Sequence, residues 1–139
     1  MTVRPCLGII AVGMCFAVQT ALAAGPIEVT RGQDVMVLGN CVPSLVVENR
    51  SSRTVDYLQV DLVVTLENGR ERTVELKSAY REGVLYPIQP GGTATLKQHL
   101  DTSRGLGVGC GDLKTRRMVR TVCEAEGGTS CAADVTVQP

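Results

Sequence analysis

The stretch YLQVDLVVTLENGR, residues 57–70, constrains the fold more than any other part of the chain. Apolar side chains occupy every second position from residue 58 to residue 66, and mostly polar ones lie between them. This period of two predicts a long β-strand with one buried face, because a helix would spread the same side chains around its circumference. Asn68-Gly69 then predicts a tight hairpin turn with positive φ angles, and ERTVEL predicts the returning strand.

Other segments repeat this pattern on a shorter scale. They are DVMVL (34–38), SLVVEN (44–49), TATLKQHL (93–100), and the pair RRMVRTVCEA and AADVTV, which flank EGGTS and predict a last hairpin. No segment between residues 24 and 139 sustains the 3.6-residue period of a helix. Seven or eight short strands about ten residues apart predict an all-β fold, an antiparallel sandwich.

The N-terminus predicts the compartment. Arg4 precedes an uncharged apolar run, and the small residues Ala21 and Ala23 follow it. This arrangement is typical of a secretory signal peptide over residues 1–23, with one domain over 24–139. The apolar run is shorter than the roughly 20 residues of a membrane-spanning helix, so no transmembrane segment is expected after cleavage. We therefore expect an exported, periplasmic or secreted protein.

Charge and composition limit the classes of binding partner and the kind of core that we expect. The whole chain carries 14 basic and 14 acidic residues, and removal of Arg4 leaves a net charge of −1. This balance offers no electrostatic footprint for a nucleic acid. The chain after residue 23 contains neither Phe nor Trp, so its core buries little area per residue and needs covalent support.

Four cysteines remain in the expected mature chain: Cys41, Cys110, Cys123 and Cys131. An even number in a small exported domain predicts two disulfides. The intervening lengths of 68, 12 and 7 residues differ from zinc-ligand spacing, although zinc and free thiols stay as alternatives. Of the three pairings, Cys41–Cys110 with Cys123–Cys131 is favoured, because the last two cysteines flank EAEGGTS symmetrically about Gly127.

The sequence GLGVGCGD, residues 105–112, could suggest a phosphate-binding loop. It lacks the Lys-Ser/Thr of a Walker loop, and Cys110 stands where the dinucleotide motif needs its third glycine. We interpret the glycines as allowing a sharp bend at Cys110.

The stretch LVVENRSSRTVDYLQVDLVVTLENGR, followed by IQPGGTATLKQHL, resembles the exported bacterial domains of the FxLYD type. The matching features are Asn49, the serines after it, the alternating strand, Asn68-Gly69 and Pro90-Gly91. The resemblance implies a small immunoglobulin-like sandwich and supplies no catalytic site.

Few residues suggest catalysis or metal binding. His99 occupies an outward position of its strand, and the chain has no G-x-S-x-G motif. Glu124 and Glu126 lie just before a Gly-Gly turn, and charged side chains beside such a turn are normally just solvated. We expect no enzyme, no catalytic or metal-binding residues and no cofactor.

A basic cluster offers a candidate partner-binding surface. It comprises Arg104, Lys114, Arg116, Arg117 and Arg120. Strand alternation places Arg116 and Arg120 on one face and Arg117 on the other, a pattern that also protects an exposed sheet edge. Asn49-Arg50-Ser51 matches a glycosylation sequon, which a turn explains as well.

Three functions are consistent with these features. The first is a non-enzymatic binding or accessory module of an envelope complex, whose partner is another envelope or secreted protein. The second is an inhibitor of a secreted hydrolase, acting through a disulfide-braced loop over 101–116. The third is a small periplasmic enzyme. Fold alone does not choose among them.

Overall fold

The computed structural model describes residues 25–78, 80–81, 84–98 and 106–139. The expected signal peptide, His99, Arg104 and the first part of the 101–116 loop lie outside these residues. Among the described residues, no helix has the length and apolarity needed to cross a bilayer.

The described residues form strands and three single-turn 3-10 helices. The strands are β1 (Ile27–Arg31), β2 (Val35–Val37), β3 (Asn40–Val42), β4 (Ser44–Asn49), β5 (Val55–Leu66), β6 (Glu71–Lys77), β7 (Tyr80–Arg81), β8 (Val84–Leu85), β9 (Thr93–Lys97), β10 (Leu113–Ala125), β11 (Thr129–Ser130) and β12 (Val135–Gln138). The 3-10 helices span Cys110–Asp112, Glu126–Gly128 and Ala132–Asp134. The all-β prediction is confirmed.

Eight strands form one curled sheet in the order β11-β10-β5-β6-β9-β4-β1-β12. Strands β2 and β3 form a small hairpin, and β7 and β8 form a separate two-stranded sheet. The connection between β6 and β9 is a single residue pair, Lys77 with Lys97. The sheet therefore divides into two layers, one of β11, β10, β5 and β6 and the other of β9, β4, β1 and β12. Their inward side chains form a single hydrophobic core.

The alternation in β5 has the predicted effect. All five apolar residues from Leu58 to Leu66 are buried, as are Val74 and Leu76 on the returning strand β6. The opposite face of β5 is less exposed than the pattern suggests: Gln59 and Asp61 are buried there, and hydrogen bonds between side chains satisfy their polar groups. The Tyr57 hydroxyl donates to Gln59 Oε1 at 2.6 Å, and Gln59 Nε2 donates to Asp61 Oδ1 at 2.7 Å. Burial is the main cause that raises the pKa of Tyr57.

The sandwich differs from the antiparallel expectation at its C-terminus. The segment AADVTV does not complete a hairpin with β10. The short strand β11 takes that place, and β12 pairs parallel to β1, with Ile27 opposite Val135. Period-two patterns give no strand direction, so the sequence could not distinguish these arrangements.

The turns also differ from expectation. At Asn68-Gly69 only Gly69 has a positive φ, 78°, so the loop is longer than the predicted two-residue turn. A two-residue turn occurs instead at Leu38-Gly39, within the segment that we expected to be a strand followed by a loop. Both residues have positive φ there, 47° and 79°.

Candidate functional site

The tip of the β2–β3 hairpin is the most unusual surface in the described part of the chain. Leu38 is 86% exposed and Met36 is 53% exposed. Positive φ at both central residues defines a type I′ turn, which favours Asn-Gly, Asp-Gly or Gly-Gly. Leu38 instead holds a bulky side chain in the left-handed region, a conformation that costs an L-residue about 1–2 kcal/mol. Core packing does not explain this choice of residue, because the side chain lies in solvent.

The glycine-rich segment holds one side of the hairpin. A disulfide joins Cys41 to Cys110, with their Cα atoms 4.8 Å apart. The backbone N–H of Cys41 donates to the Val108 carbonyl at 2.8 Å, and the Gly107 N–H donates to Asn40 Oδ1 at 2.8 Å. Gly107 has a φ of 68°, which glycine adopts without strain. The glycines therefore allow the chain to bring Cys110 to the hairpin.

An ion pair holds the base of the hairpin. Arg116 of β10 donates to both carboxylate oxygens of Asp34, which precedes β2. Burial opposes ionisation of Asp34, but the hydrogen bond and charge of Arg116 outweigh it, with help from Ser44 and Arg31. Together they lower the pKa of Asp34 below 3.8. Asp34 is therefore a carboxylate at neutral pH.

A close backbone approach completes the base. The Gly32 N–H donates to the Ser44 carbonyl at 2.9 Å, and Ser44 Oγ donates to the Gln33 carbonyl at 2.7 Å. A Cβ on Gly32 would lie 2.5 Å from Ser44 Oγ, so only glycine allows this contact. The hairpin is thus fixed at its base while its tip faces solvent.

A groove of about 260 Å³ lies beside the hairpin. Val35 and Val42 line it from the hairpin, and Val46 and Thr95 line it from β4 and β9, with Lys97 also in its wall. Val35 and Val46 are partly exposed, at 42% and 38%. Apolar surface therefore continues from the tip towards the sheet.

The basic cluster is divided by the fold. Arg116 points inwards, its side chain 5% exposed in the pair with Asp34. Arg117 and Arg120 lie opposite Val63 and Asp61 on the outer face, because a bulge between Met118 and Arg120 shifts the alternation by one residue. This corrects the predicted faces. Lys114 Nζ lies 3.5 Å from Glu67 Oε1.

The second disulfide lies away from the hairpin. It joins Cys123 to Cys131, with Cα atoms 5.0 Å apart, and the Cys131 N–H donates to the Cys123 carbonyl at 3.0 Å. Both disulfides are the pairs that the spacing favours. All four cysteines are therefore bonded to sulfur and not to zinc.

The glycosylation sequon has a structural role. Asn49 is fully buried, and its Nδ2 donates to the carbonyls of Arg53 and Ile88, both at 2.8 Å. Its Oδ1 accepts from the Ser51 N–H and hydroxyl. An amide nitrogen used in this way offers no place for a glycan in the folded domain.

Other chemistry weighed from the sequence receives no support from geometry. Glu124 and Glu126 are exposed. Within the described ranges, no group of three or more His, Cys, Asp or Glu side chains is arranged to hold a metal ion.

Sequence reasoning missed the residues that define this site. In the sequence, Leu38 is the last residue of an apolar segment that predicts a strand, and only the following Gly39 indicates a turn. Asp34 and Arg116 are 82 positions apart, and no local pattern links them. The sequence alone therefore could not show that Asp34 and Arg116 form an ion pair.

Comparisons with known proteins support the fold and no more. No protein-family model matches the chain, and no curated protein matches it. The fold is similar to that of IrmA from Escherichia coli, with 11% sequence identity and a TM-score of 0.55. The match covers 81% of this chain and 91% of that one. The likeness does not bear on the FxLYD resemblance, which stays a prediction; the chain is a disulfide-bonded all-β protein with an IrmA-like fold.

Proposed function

We propose that the chain is a non-enzymatic, exported binding module that inserts the β2–β3 tip into an apolar pocket of another envelope or secreted protein. The main support for this proposal is Leu38. Its apolar side chain is 86% exposed, and it lies in a turn whose positive φ is unfavourable for leucine. Conformational strain that folding does not require is concentrated at functional positions. A polar residue such as Asn would suit both the turn and the solvent better.

The rigidity of the hairpin favours binding. Ordering a flexible loop on association costs free energy, and a preformed one avoids that cost. The Cys41–Cys110 disulfide and the Asp34–Arg116 pair hold the hairpin before any partner arrives. Leu38 and Met36 are therefore preorganised apolar side chains, and burying them in a partner would remove their exposed area from water.

Export is supported by the cysteine chemistry. Disulfides persist in oxidising compartments, and both pairs of cysteines in the described domain are at bonding distance. The expected signal peptide agrees with this. We accordingly place the partner in the envelope or outside the cell.

Inhibition of a secreted hydrolase is a narrower form of the proposal. A rigid hairpin with an apolar tip fits an active-site cleft. The described part of the 101–116 loop lies against this hairpin, through Val108 and Cys110. The inserting element would therefore be the tip and not that loop. Mixing the protein with hydrolase activities of its own compartment tests this form.

The general proposal is tested by capture with a matched pair of variants. Wild type, Leu38→Asn and Tyr86→Asn are immobilised, exposed to envelope and secreted fractions, and the retained proteins are quantified by mass spectrometry. Tyr86 is also an exposed apolar residue, at 52%, so its variant controls for nonspecific binding through exposed apolar side chains. We expect one protein to be retained by wild type and Tyr86→Asn and at least about tenfold less by Leu38→Asn.

Binding of the purified partner is then measured directly by calorimetry. A set of retained proteins that is the same for Leu38→Asn as for wild type, an empty set included, contradicts the proposal. Circular dichroism and thermal unfolding establish that the variants are folded.

A further inference from the structure

Most of one long side of β10 is not paired with any strand among the described residues. Strand β5 pairs with β10 along its whole length, but β11 covers only Glu124 and Ala125 on the other side. The Leu113 N–H donates to the Cys110 carbonyl, and no turn or loop hydrogen bond in the described ranges reaches the backbone between residues 114 and 122. Among the described residues, this segment is therefore an open sheet edge, with backbone donors and acceptors directed away from β5.

The open edge is cationic on its outer face. The segment from Leu113 to Val122 contains one lysine, three arginines and no acidic residue. Arg116 is neutralised by Asp34, and Lys114 lies near Glu67. Arg117 and Arg120 form no ion pair with any residue that the structure describes. Their charges remain available to a neighbour on the outer face.

The inner side of the same edge is apolar. Met118 lies opposite Leu62, whose side chain points into the core, and Met118 is 41% exposed. Val119, in the bulge, is 44% exposed. A strand added here would place alternate side chains on the two faces. One set would meet Arg117 and Arg120, and the other would meet Met118.

We propose that this edge binds, as an added β-strand, an extended segment of another protein in which acidic and apolar residues alternate. Backbone hydrogen bonds to the edge would supply affinity, and the two faces would supply specificity. The apolar hairpin tip plays no part in this interaction. The bulge at Val119 divides the edge, so the regular pairing would run along Thr115–Met118 and resume after it.

A second copy of this chain is a poor occupant. Antiparallel pairing of two β10 strands would bring arginines of one copy close to arginines of the other. Like charges in such positions are destabilising. The same cations that oppose self-association attract an acidic strand, which is why we assign the edge to a different protein.

The test uses three blocked ten-residue peptides. The first alternates glutamate and valine, the second replaces glutamate by lysine, and the third is the first with N-methyl groups on every second residue. N-methylation keeps the charge but removes the donors needed to pair with an edge. Binding is measured by calorimetry and by hydrogen exchange of the amides between residues 113 and 122.

We expect the glutamate peptide alone to bind and to slow exchange of the outward amides by about tenfold or more at saturation. Arg117→Glu with Arg120→Glu should weaken its binding by roughly tenfold and allow the lysine peptide to bind. Arg70→Glu with Arg72→Glu, which makes the same change of charge on exposed positions of the β5–β6 hairpin, should leave binding unchanged. Leu38→Asn should leave it unchanged too.

Three results would overturn the proposal. Equal binding of the N-methylated peptide would mean attraction of charge without strand addition. Dimerisation of the peptide-free protein in sedimentation, with protection of the same amides, would assign the edge to a second copy. Binding of a single-stranded nucleic acid in preference to the glutamate peptide would assign the cations to a polyanion.

Discussion

Arg116 of β10 and Asp34 at the base of the hairpin form an ion pair between the large sheet and the hairpin, with side chains 5% and 9% exposed. Arg116 Nη1 lies 3.0 Å from Asp34 Oδ1, and Nη2 bonds to Oδ2. Paired in this way, two charges can be held away from water. The pair connects the candidate binding hairpin to the central strands.

Removing one member of this pair should be strongly destabilising. Arg116→Ala leaves Asp34 buried without its main partner, and we expect a loss of about 3 kcal/mol in the free energy of unfolding. The control is Arg117→Ala, the adjacent exposed arginine, which should change stability by no more than about 0.5 kcal/mol. Urea unfolding followed by circular dichroism measures both. Equal losses in the two variants would contradict this account.

The pair also predicts how stability depends on pH. The pKa of Asp34 is lower in the folded protein than its ordinary value of 3.8. Its stabilising effect is therefore complete above that value and is lost as the pH falls through the folded pKa. The difference in unfolding free energy between wild type and Asp34→Asn should be constant from about pH 7 to about pH 5 and shrink below about pH 4.

Urea unfolding at a series of pH values measures this difference. Glu126→Gln serves as the control, since Glu126 is exposed. A difference between wild type and Asp34→Asn that stays constant down to pH 2.5 would show that Asp34 does not titrate as described.

The two disulfides should contribute unequally. Cys41–Cys110 closes a loop with a sequence separation of 69, and Cys123–Cys131 closes one of 8. On the loop-entropy model, their removal costs about 4 and about 2.5 kcal/mol, respectively. Paired Cys→Ala variants, compared by denaturant unfolding, test the order. A larger loss from the short loop would mean that local strain or packing outweighs chain entropy.

Asn49 should be among the least replaceable polar residues. Asn49→Ala leaves the carbonyls of Arg53 and Ile88 without its amide, in a fully buried position. We expect a loss of about 2–3 kcal/mol, since each unsatisfied buried group costs about 1–3 kcal/mol. Ser52→Ala, an exposed change in the same turn, should cost less than about 0.5 kcal/mol. Thermal unfolding distinguishes the two.

Leu38→Asn should stabilise the isolated protein. Asparagine tolerates the left-handed conformation that leucine adopts here, so we expect a gain of about 0.5–1 kcal/mol. Denaturant unfolding of the partner-free protein measures it. A loss of stability would mean that the Leu38 side chain contributes to folding, and it would remove the main support for the binding proposal.

The strands and the buried face of β5 could be predicted because they depend on local alternation. Leu58, Val60 and their successors carry this signal in consecutive residues. The core of the sandwich follows from it. Loop chemistry was less predictable, since Asn68-Gly69 suggested a turn in the right place but of the wrong length.

The candidate site depends on relationships that local patterns do not contain. The bulge at Val119 reverses the faces of the residues after it, so Arg117 and Arg120 share a face that alternation assigned differently. From the sequence, Arg116 is expected to be a surface cation, and only the structure shows that it is paired with Asp34. The parallel direction of β12 likewise depends on long-range structure, because the chain after β11 returns to the layer of β1 and pairs with that strand.

The two layers of the sheet are paired with each other only at Lys77 and Lys97 among the described residues. The Cys41–Cys110 bond adds a covalent link between the β2–β3 hairpin and the segment that leads into β10. We therefore expect reduction to remove one of the restraints that position Leu38, while the Asp34–Arg116 pair and the Gly32–Ser44 contact continue to hold the base of the hairpin.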